Sequence, residues 1–377
     1  MLNKFLSNLK GEYLTLNRIE ISAQNLLDNY KYLSSFQKKL KVSPVIKSNG
    51  YGHGIVNVAR ILQKLNPPFF CVDSLYEAYE LQKSKIEIPI LITGYTNPEN
   101  LKVKKLPFSF AVYTNDLLLA IAKYQPQTGV HIFVDTGMRR EGVTLEDLPQ
   151  FLAVVKKINV KVEGLMSHLA SNEGKGDKLF LSQISVYKKA LKIFKKYKIN
   201  PKWIHIAATG GIINPQTRQI ISKLSNMTRS GLALYGFSSS TKDQNLKPAL
   251  KLITHLTQIK KVKKGNFIGY DGTFTTKQDT IVGILPIGYY DGVDRNLSNK
   301  GLVNIDGHDC SIIGRVSMNI TIIDLSRIKN PKIGDEVVIY SNNPKDKNSI
   351  ENAAKICKKI PYEILVNLAE STRRVIL

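Results

Sequence analysis

The chain has 377 residues, of which 43% are hydrophobic and 22% charged, a composition that fits a folded protein of about two domains and excludes a largely disordered one. The net charge is +24, but the lysines are spread along the whole sequence and no nucleic-acid-binding motif is present, so we expect no nucleic-acid partner. No apolar run approaches a membrane span or a signal-peptide core, and the three cysteines have no metal-binding spacing. These features predict a cytoplasmic protein with free thiols, no membrane anchor and no metal site.

The first two-thirds of the chain alternate short apolar strands with amphipathic helices. After a strand at 16–22 and a helix at 23–36, which we expect to lead into the first domain, eight more strands follow. They are predicted at 44–48, 69–74, 89–94, 108–113, 131–137, 162–168, 203–210 and 227–236. Eight βα repeats predict parallel strands with helices outside, closed into a (β/α)8 barrel over residues 1–245. An open doubly wound sheet is the alternative, which the lack of a G-x-G-x-x-G fingerprint disfavours.

From residue 246 the pattern changes to short strands separated by Gly, Asp and Asn turns. Residues 246–377 are therefore predicted to form a mostly-β second domain, with a helical pattern at 349–372 near its end. The predicted fold class is α/β, a TIM-like barrel followed by this β domain.

Reactive residues recur where the barrel strands are predicted to end, which is where such barrels place their active sites. A lysine there can form a Schiff base with a carbonyl group, either that of pyridoxal 5′-phosphate (PLP) or that of an aldolase substrate. A PLP enzyme must also bind a phosphate, and glycine segments follow strands seven and eight, where barrels commonly do so. PLP therefore accounts for the lysine and the glycines together. Lys47, Asp73, His168 and Thr209 end predicted strands, Arg140 follows the fifth strand, and Arg229 lies in the last one.

Six segments, in order, resemble the motifs of the alanine racemase family. VIKSNGYGHG (45–54) resembles its PLP-lysine motif, VDTGMRREGV (134–143) its VDTGM segment, and RSGLALYG (229–236) its last barrel strand. In the second domain the resembling segments are IGYDGTF (268–274), ILPIGYYDGVDR (284–295) and GRVSMNITIID (314–324). The resemblance implies a PLP-binding barrel, a β domain that contributes to the partner's active site, and a homodimer with shared sites.

The resemblance also implies a function and a set of roles. The function is PLP-dependent racemisation of L-alanine to D-alanine by two bases, supplying D-alanine for peptidoglycan. Lys47 would carry the cofactor and act as one base, and Tyr270 of the other subunit would be the second. The implied cofactor contacts are Tyr51, His168, Thr209, Arg229, Gly231 and Leu232, with His205 near the arginine. The implied substrate contacts are Arg140, Met318 and Tyr289.

The sequence departs from the family's pattern at four places. Phe133 stands where many members have a carbamylated lysine that holds the arginine, and Asn319 replaces the usual Asp. Ala208-Thr209 replaces the phosphate-side Asn-Ser of the seventh strand, and the tail 370–377 lacks a Tyr-Arg-Val-Pro pattern. These departures leave open a broader-spectrum amino-acid racemase, although the absence of an export signal favours alanine. A PLP-dependent decarboxylase of similar two-domain plan also stays open. A one-domain PLP-binding protein of the same barrel type is disfavoured by Tyr270 and residues 246–377, and a non-enzymatic basic binding protein is disfavoured by the scattered lysines.

Overall fold

The computed structural model describes residues 15–172, 176–238, 243 and 245–377, and the chain divides into two compact units. Residues 1–14, where the sequence shows no signal-peptide core, lie outside the described residues. One unit is Gln24–Lys247, and the other joins the residues up to Ala23 to Pro248–Leu377. The expectation that the first strand leads into the barrel was therefore wrong. That strand, β1 (Arg18–Ile21), pairs with strands of the second unit instead.

The first unit contains the eight predicted βα strands. They are β2 (Lys41–Pro44), β3 (Phe70–Val72), β4 (Ile90–Ile92), β5 (Phe108–Val112), β6 (Gly129–Phe133), β7 (Lys161–Met166), β8 (Trp203–His205) and β9 (Met227–Ser230). All of their pairings are parallel: β3 to β8 form one sheet in chain order, and β2 pairs with β9. Ile46 N–H donates to Cys71 O (2.9 Å) and Arg229 N–H to Ala207 O (3.0 Å), which joins the two sheets at both edges. The strands thus follow the predicted barrel order.

Helices separate these strands along the chain. They are α1 (Ala23–Ser35), α2 (Lys47–Tyr51), α3 (Ile55–Leu62), α4 (Leu75–Lys83), α5 (Asn115–Tyr124), α6 (Leu148–Ile158), α7 (Lys178–Lys196), α8 (Thr209–Ile213) and α9 (Pro215–Ile221). Of these, α2 is a short turn of left-handed residues. The starts of α4, α5 and α7 are fixed by capping residues. Ser74, Thr114 and Asp177 each accept a backbone N–H from the first turn of the helix that they precede. No helix within the described residues has the length and apolar character needed to cross a membrane.

The second unit is mostly β, as predicted. The elements after β9 are β10 (Leu250–His255), β11 (Gln258–Val262), β12 (Phe267–Ile268), β13 (Phe274–Thr275), β14 (Thr280–Leu285), β15 (Leu302–Ile305), β16 (His308–Ser311), β17 (Thr321–Asp324), β18 (Glu336–Tyr340), α10 (Ile350–Cys357), α11 (Pro361–Val366) and β19 (Arg373–Ile376). The predicted helix at 349–372 is divided in two, because Lys358 takes a left-handed conformation (φ 54°) and Pro361 starts a new helix. A six-stranded sheet has the order β16-β15-β18-β10-β1-β19, and a three-stranded sheet has the order β11-β14-β17.

Asn29 in α1 fastens this helix to two distant parts of the barrel unit. Its side chain is fully buried, donates to Leu234 O (3.1 Å) and Lys247 O (2.8 Å), and accepts from Lys247 N–H (2.9 Å). Removing it would leave backbone groups without their partners in a place that water reaches poorly.

We expect Asn29→Ala to lower the free energy of unfolding by about 2–3 kcal/mol, the effect of leaving buried polar groups unsatisfied. Trp203, the single tryptophan, lies in β8 of the barrel unit, so its fluorescence during urea unfolding reports on this unit. Gln24→Ala, on the exposed side of the same helix, is the control and should change stability by less than about 0.5 kcal/mol. Equal effects of the two substitutions would show that the Asn29 contacts do not stabilise the barrel.

Candidate active site

Lys47 lies just beyond β2, at the start of a turn with unusual backbone geometry. The prediction that it ends a strand was wrong, because Ser48, Asn49 and Gly50 have φ values of 53°, 53° and 61°. The φ values of Tyr51 (51°) and Gly52 (80°) are also positive. A run of left-handed residues cannot continue a strand, and it is unfavourable for residues that carry a Cβ atom. Such strain persists only where the surroundings enforce it, which makes this turn a candidate functional feature.

Glu77, in the first turn of α4, stabilises this turn. Its carboxylate accepts the backbone N–H of Ser48 (2.6 Å) and that of Asp73 (2.8 Å), so that one side chain joins the segments after β2 and β3. Asn49 accepts the N–H of Ile55 (2.9 Å) and thereby fixes the start of α3. Asp73, predicted to end its strand, instead follows β3 directly, and it accepts a hydrogen bond from Lys47 Nζ at 2.8 Å. The amine of Lys47 is thus held beside a carboxylate at the C-terminal end of the barrel strands.

Arg229 in β9 is a cation buried inside the barrel, with 5% of its surface exposed. Its guanidinium donates to Ser167 O (2.6 Å) and contacts Nδ1 of His205 and Nδ1 of His168, the latter at 3.3 Å. Burial lowers the pKa of Arg229 from its ordinary value. An arginine side chain is not deprotonated in proteins, so Arg229 stays charged. Its guanidinium has only donors, and each group that it contacts must therefore supply a lone pair.

The histidines around Arg229 are neutral. Burial, with a further contribution from the positive charges of Arg229, Arg140 and Lys47, lowers the pKa of His168 to about 3. The pKa of His205 is lowered well below its ordinary value, first by burial and then by Arg229. A third histidine, His131 in β6, is fully buried, contacts His205, and has its pKa lowered to about 3, chiefly by burial. The barrel therefore holds one fixed positive charge surrounded by uncharged imidazoles.

A small buried cup of hydroxyl and backbone groups lies after β8 and β9. Thr209, predicted to end a strand, instead begins α8, and its hydroxyl accepts the backbone N–H of Gly231 (3.2 Å) and of Ala233 (3.4 Å). A Cβ atom on Gly231 would lie 2.7 Å from Tyr51 Oη, so glycine is needed here for close approach. Leu232 follows directly and is buried. The structure thus brings together four predicted phosphate contacts: Tyr51, Thr209, Gly231 and Leu232.

Arg140 lies on the exposed segment after β6, and its partner is the adjacent Glu141, whose carboxylate accepts from Nε at 3.0 Å. The sequence alone left this partner open. Phe133, at the end of β6, is buried and packs against Ala111 and Met166. The phenyl ring therefore fills core space, and a carboxylate from the next residue in sequence pairs with the arginine.

The three site residues predicted in the second unit are all exposed there: Tyr270 by 67%, Met318 by 56% and Tyr289 by 43%. Two of them are neighbours, because the backbone N–H groups of Tyr289 and Tyr290 donate to Ser317 O and Met318 O. Arg315 forms an ion pair with Asp271 (3.1 Å) and so ties the Tyr270 turn to the same segment. These residues share one exposed region of the second unit.

The comparisons with known proteins agree with this geometry. The alanine racemase N-terminal domain family matches residues 21–239, and the C-terminal domain family matches residues 249–376. The chain belongs to the alanine racemase family. This membership confirms the resemblance, the predicted fold class and the predicted enzyme class, an isomerase.

Individual relatives match over nearly their whole length. An alanine racemase of Borreliella burgdorferi strain ZS7 is 32% identical in an alignment 368 residues long, which covers 94% of this chain and 96% of the relative. The crystal structure of alanine racemase from E. faecalis is 28% identical with a TM-score of 0.87, covering 96% of this chain and 98% of that chain. Alanine racemase from Bartonella henselae, solved with covalently bound pyridoxal phosphate, has a TM-score of 0.83 at 24% identity, covering 97% and 100%.

Asn319, one of the departures from the alanine racemase pattern, has a defined contact. Its amide donates to Asp291 Oδ2 (3.2 Å), and the same oxygen accepts the backbone N–H of Gly288 (2.9 Å). A carboxylate at position 319 would face that of Asp291 without a proton between them. The amide therefore suits this environment better than the acid of the family pattern.

Sequence reasoning missed Gln183 in α7. It is fully buried, donates to His168 O (3.0 Å) and Thr136 Oγ1 (3.3 Å), and accepts from Ala170 N–H (2.8 Å). These contacts fasten the segments after β6 and β7, from which His168 projects. The sequence could have indicated this residue, because Gln183 is a polar side chain at a position on the apolar face of an amphipathic helix.

We expect acid to destabilise the barrel unit before its carboxylates titrate. The histidines have lower pKa values folded than unfolded, so unfolding takes up protons below the ordinary histidine pKa of 6.5, and the free energy of unfolding falls as the pH drops from 6.5 to about 4. Each proton contributes a slope of about 1.4 kcal/mol per pH unit. Urea unfolding followed by Trp203 fluorescence across this range measures the slope.

His131→Asn should reduce this slope by about one proton, because a titrating group is removed. His308→Gln is the control, since His308 is exposed in the second unit and should leave the slope unchanged. A slope that is the same in His131→Asn as in the natural protein would contradict the assignment of a neutral buried His131.

Proposed function

We propose that this chain is a PLP-dependent alanine racemase that interconverts L- and D-alanine. The observation that carries the proposal is the arrangement at the C-terminal end of the barrel: the amine of Lys47, the buried cation Arg229 and the small hydroxyl-lined cup all lie in one unit of an alanine racemase family member. PLP needs an amine for covalent attachment and a phosphate site, which Lys47 and the cup would supply.

The donor set fits the cofactor. Tyr51, Thr209 and the backbone at Gly231 and Leu232 would hold the phosphate, which favours hydroxyl and N–H donors approaching closely past a glycine. Arg229 and the neutral His168 would lie at the ring, and Lys47 would provide the point of attachment. When bound, PLP supplies an electron sink for the negative charge that develops at the substrate α-carbon.

Racemisation requires a proton to leave one face of the α-carbon and another to arrive on the opposite face. We propose Lys47 Nζ as the base on one face and Tyr270 Oη from a second copy of the chain on the other, so that the substrate need not turn over between the two transfers. Arg229 would meet the nitrogen of the cofactor ring, and a guanidinium is too weak an acid to give that nitrogen a proton, so the ring would stabilise the negative charge at the α-carbon less. This favours return of the proton to the α-carbon, which is the outcome that racemisation needs.

The exposure of Tyr270, Tyr289 and Met318 supports a homodimer in which these residues complete the partner's site. Aromatic and methionine side chains are favoured at protein interfaces, where their apolar surface becomes buried. Arg140 would receive the substrate carboxylate, with Glu141 restricting the orientation of its guanidinium. The buried free thiols Cys71, Cys310 and Cys357 suit the reducing cytoplasm, where D-alanine would be supplied for peptidoglycan.

A broader-spectrum amino-acid racemase is the second candidate. Phe133 and Asn319 favour it, because both change the surroundings of predicted substrate contacts: Phe133 leaves Arg140 to pair with Glu141, and Asn319 follows Met318 directly. The same catalytic pair would serve both candidates, so only the choice of substrate separates them.

We expect the purified protein, supplied with PLP and L-alanine in deuterated water, to produce D-alanine that carries α-deuterium. Lys47→Ala should abolish the exchange, because the attachment point and one base are lost. Tyr270→Phe should lower it by about two to four orders of magnitude, the usual contribution of one acid–base group. Chiral chromatography with mass spectrometry measures both the configuration and the label.

Tyr76→Phe is the matched control, since Tyr76 is exposed on α4 and takes no part in the proposed site. L-serine and L-lysine are assayed in parallel, and faster turnover of either would favour the broader-spectrum candidate. A protein that binds PLP but gives no D-product from any substrate would rule out a racemase. Carbon dioxide release would then indicate a decarboxylase.

We expect Gly231→Ala to weaken PLP binding by at least tenfold while leaving the fold intact, because the added methyl group would push Tyr51 away from the proposed phosphate cup. Absorbance titration of the cofactor-free protein measures the dissociation constant. Gly176→Ala is the control for substitution of a glycine in the same unit, since Gly176 has no left-handed φ and a Cβ atom there meets no atom within 4 Å. Unchanged PLP affinity in Gly231→Ala would place the phosphate elsewhere.

A further inference from the structure

Two buried histidines connect Arg229 to the interior of the barrel. Nε2 of His205, in β8, lies 2.8 Å from Nδ1 of His131, in β6, and Nδ1 of His205 contacts the Arg229 guanidinium. Both rings are fully buried. The three side chains therefore form one continuous hydrogen-bonded chain through the barrel core.

Arg229 determines the direction of every bond in this chain. Its guanidinium offers only N–H groups, so His205 Nδ1 must accept, and the proton of the neutral His205 ring must lie on Nε2. That N–H then needs an acceptor, which is His131 Nδ1. The reverse tautomer of His205 would place an N–H against the guanidinium and leave two donors facing each other.

We propose that His131 is a positioning residue: by accepting the Nε2–H of His205, it holds His205 in the one tautomer that can receive Arg229, and so fixes the arginine at the cofactor ring. His131 itself does not reach the proposed reacting atoms and acts through two intervening side chains. The proposal rests on the proposed function, because the placement of Arg229 matters for catalysis only if PLP binds there.

A purely structural role does not explain a histidine at this position. In the required tautomer the remaining N–H of His131, on Nε2, is buried, and no group among the described residues accepts it. A buried donor without an acceptor destabilises a fold, and an apolar side chain would avoid this. This destabilisation is offset because Nδ1 of His131 accepts the hydrogen bond from His205.

The neighbouring strand is adapted to the imidazole ring. Gly164 in β7 is the register partner of His131, and a Cβ atom on Gly164 would lie 2.1 Å from His131 Nδ1. The register shifts by one residue between Val130 and His131, which places Gly164 rather than Glu163 beside the ring. Gly164 does not have a left-handed φ. Glycine is therefore needed at 164 for space and not for backbone conformation.

The first test uses the natural protein without cofactor, labelled with nitrogen-15 at histidine. Nitrogen-15 shifts distinguish protonated from unprotonated ring nitrogens. We expect His205 to show a protonated Nε2 and an unprotonated Nδ1 between pH 6 and 9, with the same pattern for His131, assigned from His205→Gln and His131→Asn spectra. A protonated Nδ1 on His205 would overturn the proposal without any need for a folded variant.

The second test compares variants that keep or remove the acceptor. His131→Asn can place its amide oxygen where Nδ1 lies, and it should keep the His205 pattern and bind PLP within about twofold of the natural protein. His131→Leu and Gly164→Ala, which remove or displace the acceptor, should shift the His205 resonances and weaken PLP binding about tenfold, the effect of one lost hydrogen bond. Leu118→Ala, a core truncation in α5, is the control for lost stability and should leave the His205 resonances unchanged.

The outcomes separate this proposal from the proposed function. Unchanged His205 resonances in folded His131→Leu, or equal changes in His131→Leu and His131→Asn, would overturn the positioning role of His131. Failure of the natural protein to bind PLP would instead overturn the proposed function, while the tautomer measurement in the cofactor-free protein would still report on the hydrogen-bonded chain.

Discussion

The buried guanidinium of Arg229 determines the chemistry of the barrel interior. It can only donate, and its acceptors among the described residues are two backbone carbonyls, those of Ser167 and His205, and the lone pairs of two imidazole rings, so those rings must be neutral. Such barrels usually fill their centre with branched aliphatic side chains. Here β6, β8 and β9 carry His131, His205 and Arg229, and His168 follows β7, so the barrel encloses polar groups instead. The position of each group depends on the direction of the hydrogen bond before it.

A second constraint acts on the backbone. The left-handed residues after Lys47 are unfavourable in isolation, and the carboxylate of Glu77 offsets part of this by binding the N–H of Ser48 and of Asp73 together. The position of the lysine amine therefore depends on a side chain from the next βα unit.

The order of strands and helices could be predicted from the sequence because it is a local property, visible in the alternation of apolar periods. Strand ends could not, since the turn at Ser48 and the start of α8 at Thr209 depend on contacts with other loops. The pairing of β1 with β10 and β19 joins segments from opposite ends of the chain, which no local pattern reveals. His131 was missed for a related reason: a single histidine in an apolar strand becomes informative only when its neighbour across the barrel is known. The roles of Tyr270, Tyr289 and Met318 came from the family resemblance alone.

The second unit also has an edge strand that carries exposed lysines. Strand β11 lies at the border of the three-stranded sheet, where its outer backbone groups are available for pairing with another chain. Lys260 and Lys261 in this strand are exposed, and two further lysines follow within three residues. Edge lysines disfavour intermolecular strand pairing, because a second copy would bring like charges together. Part of the large positive charge of the protein therefore acts against aggregation, and high salt, which screens this repulsion, would weaken that effect.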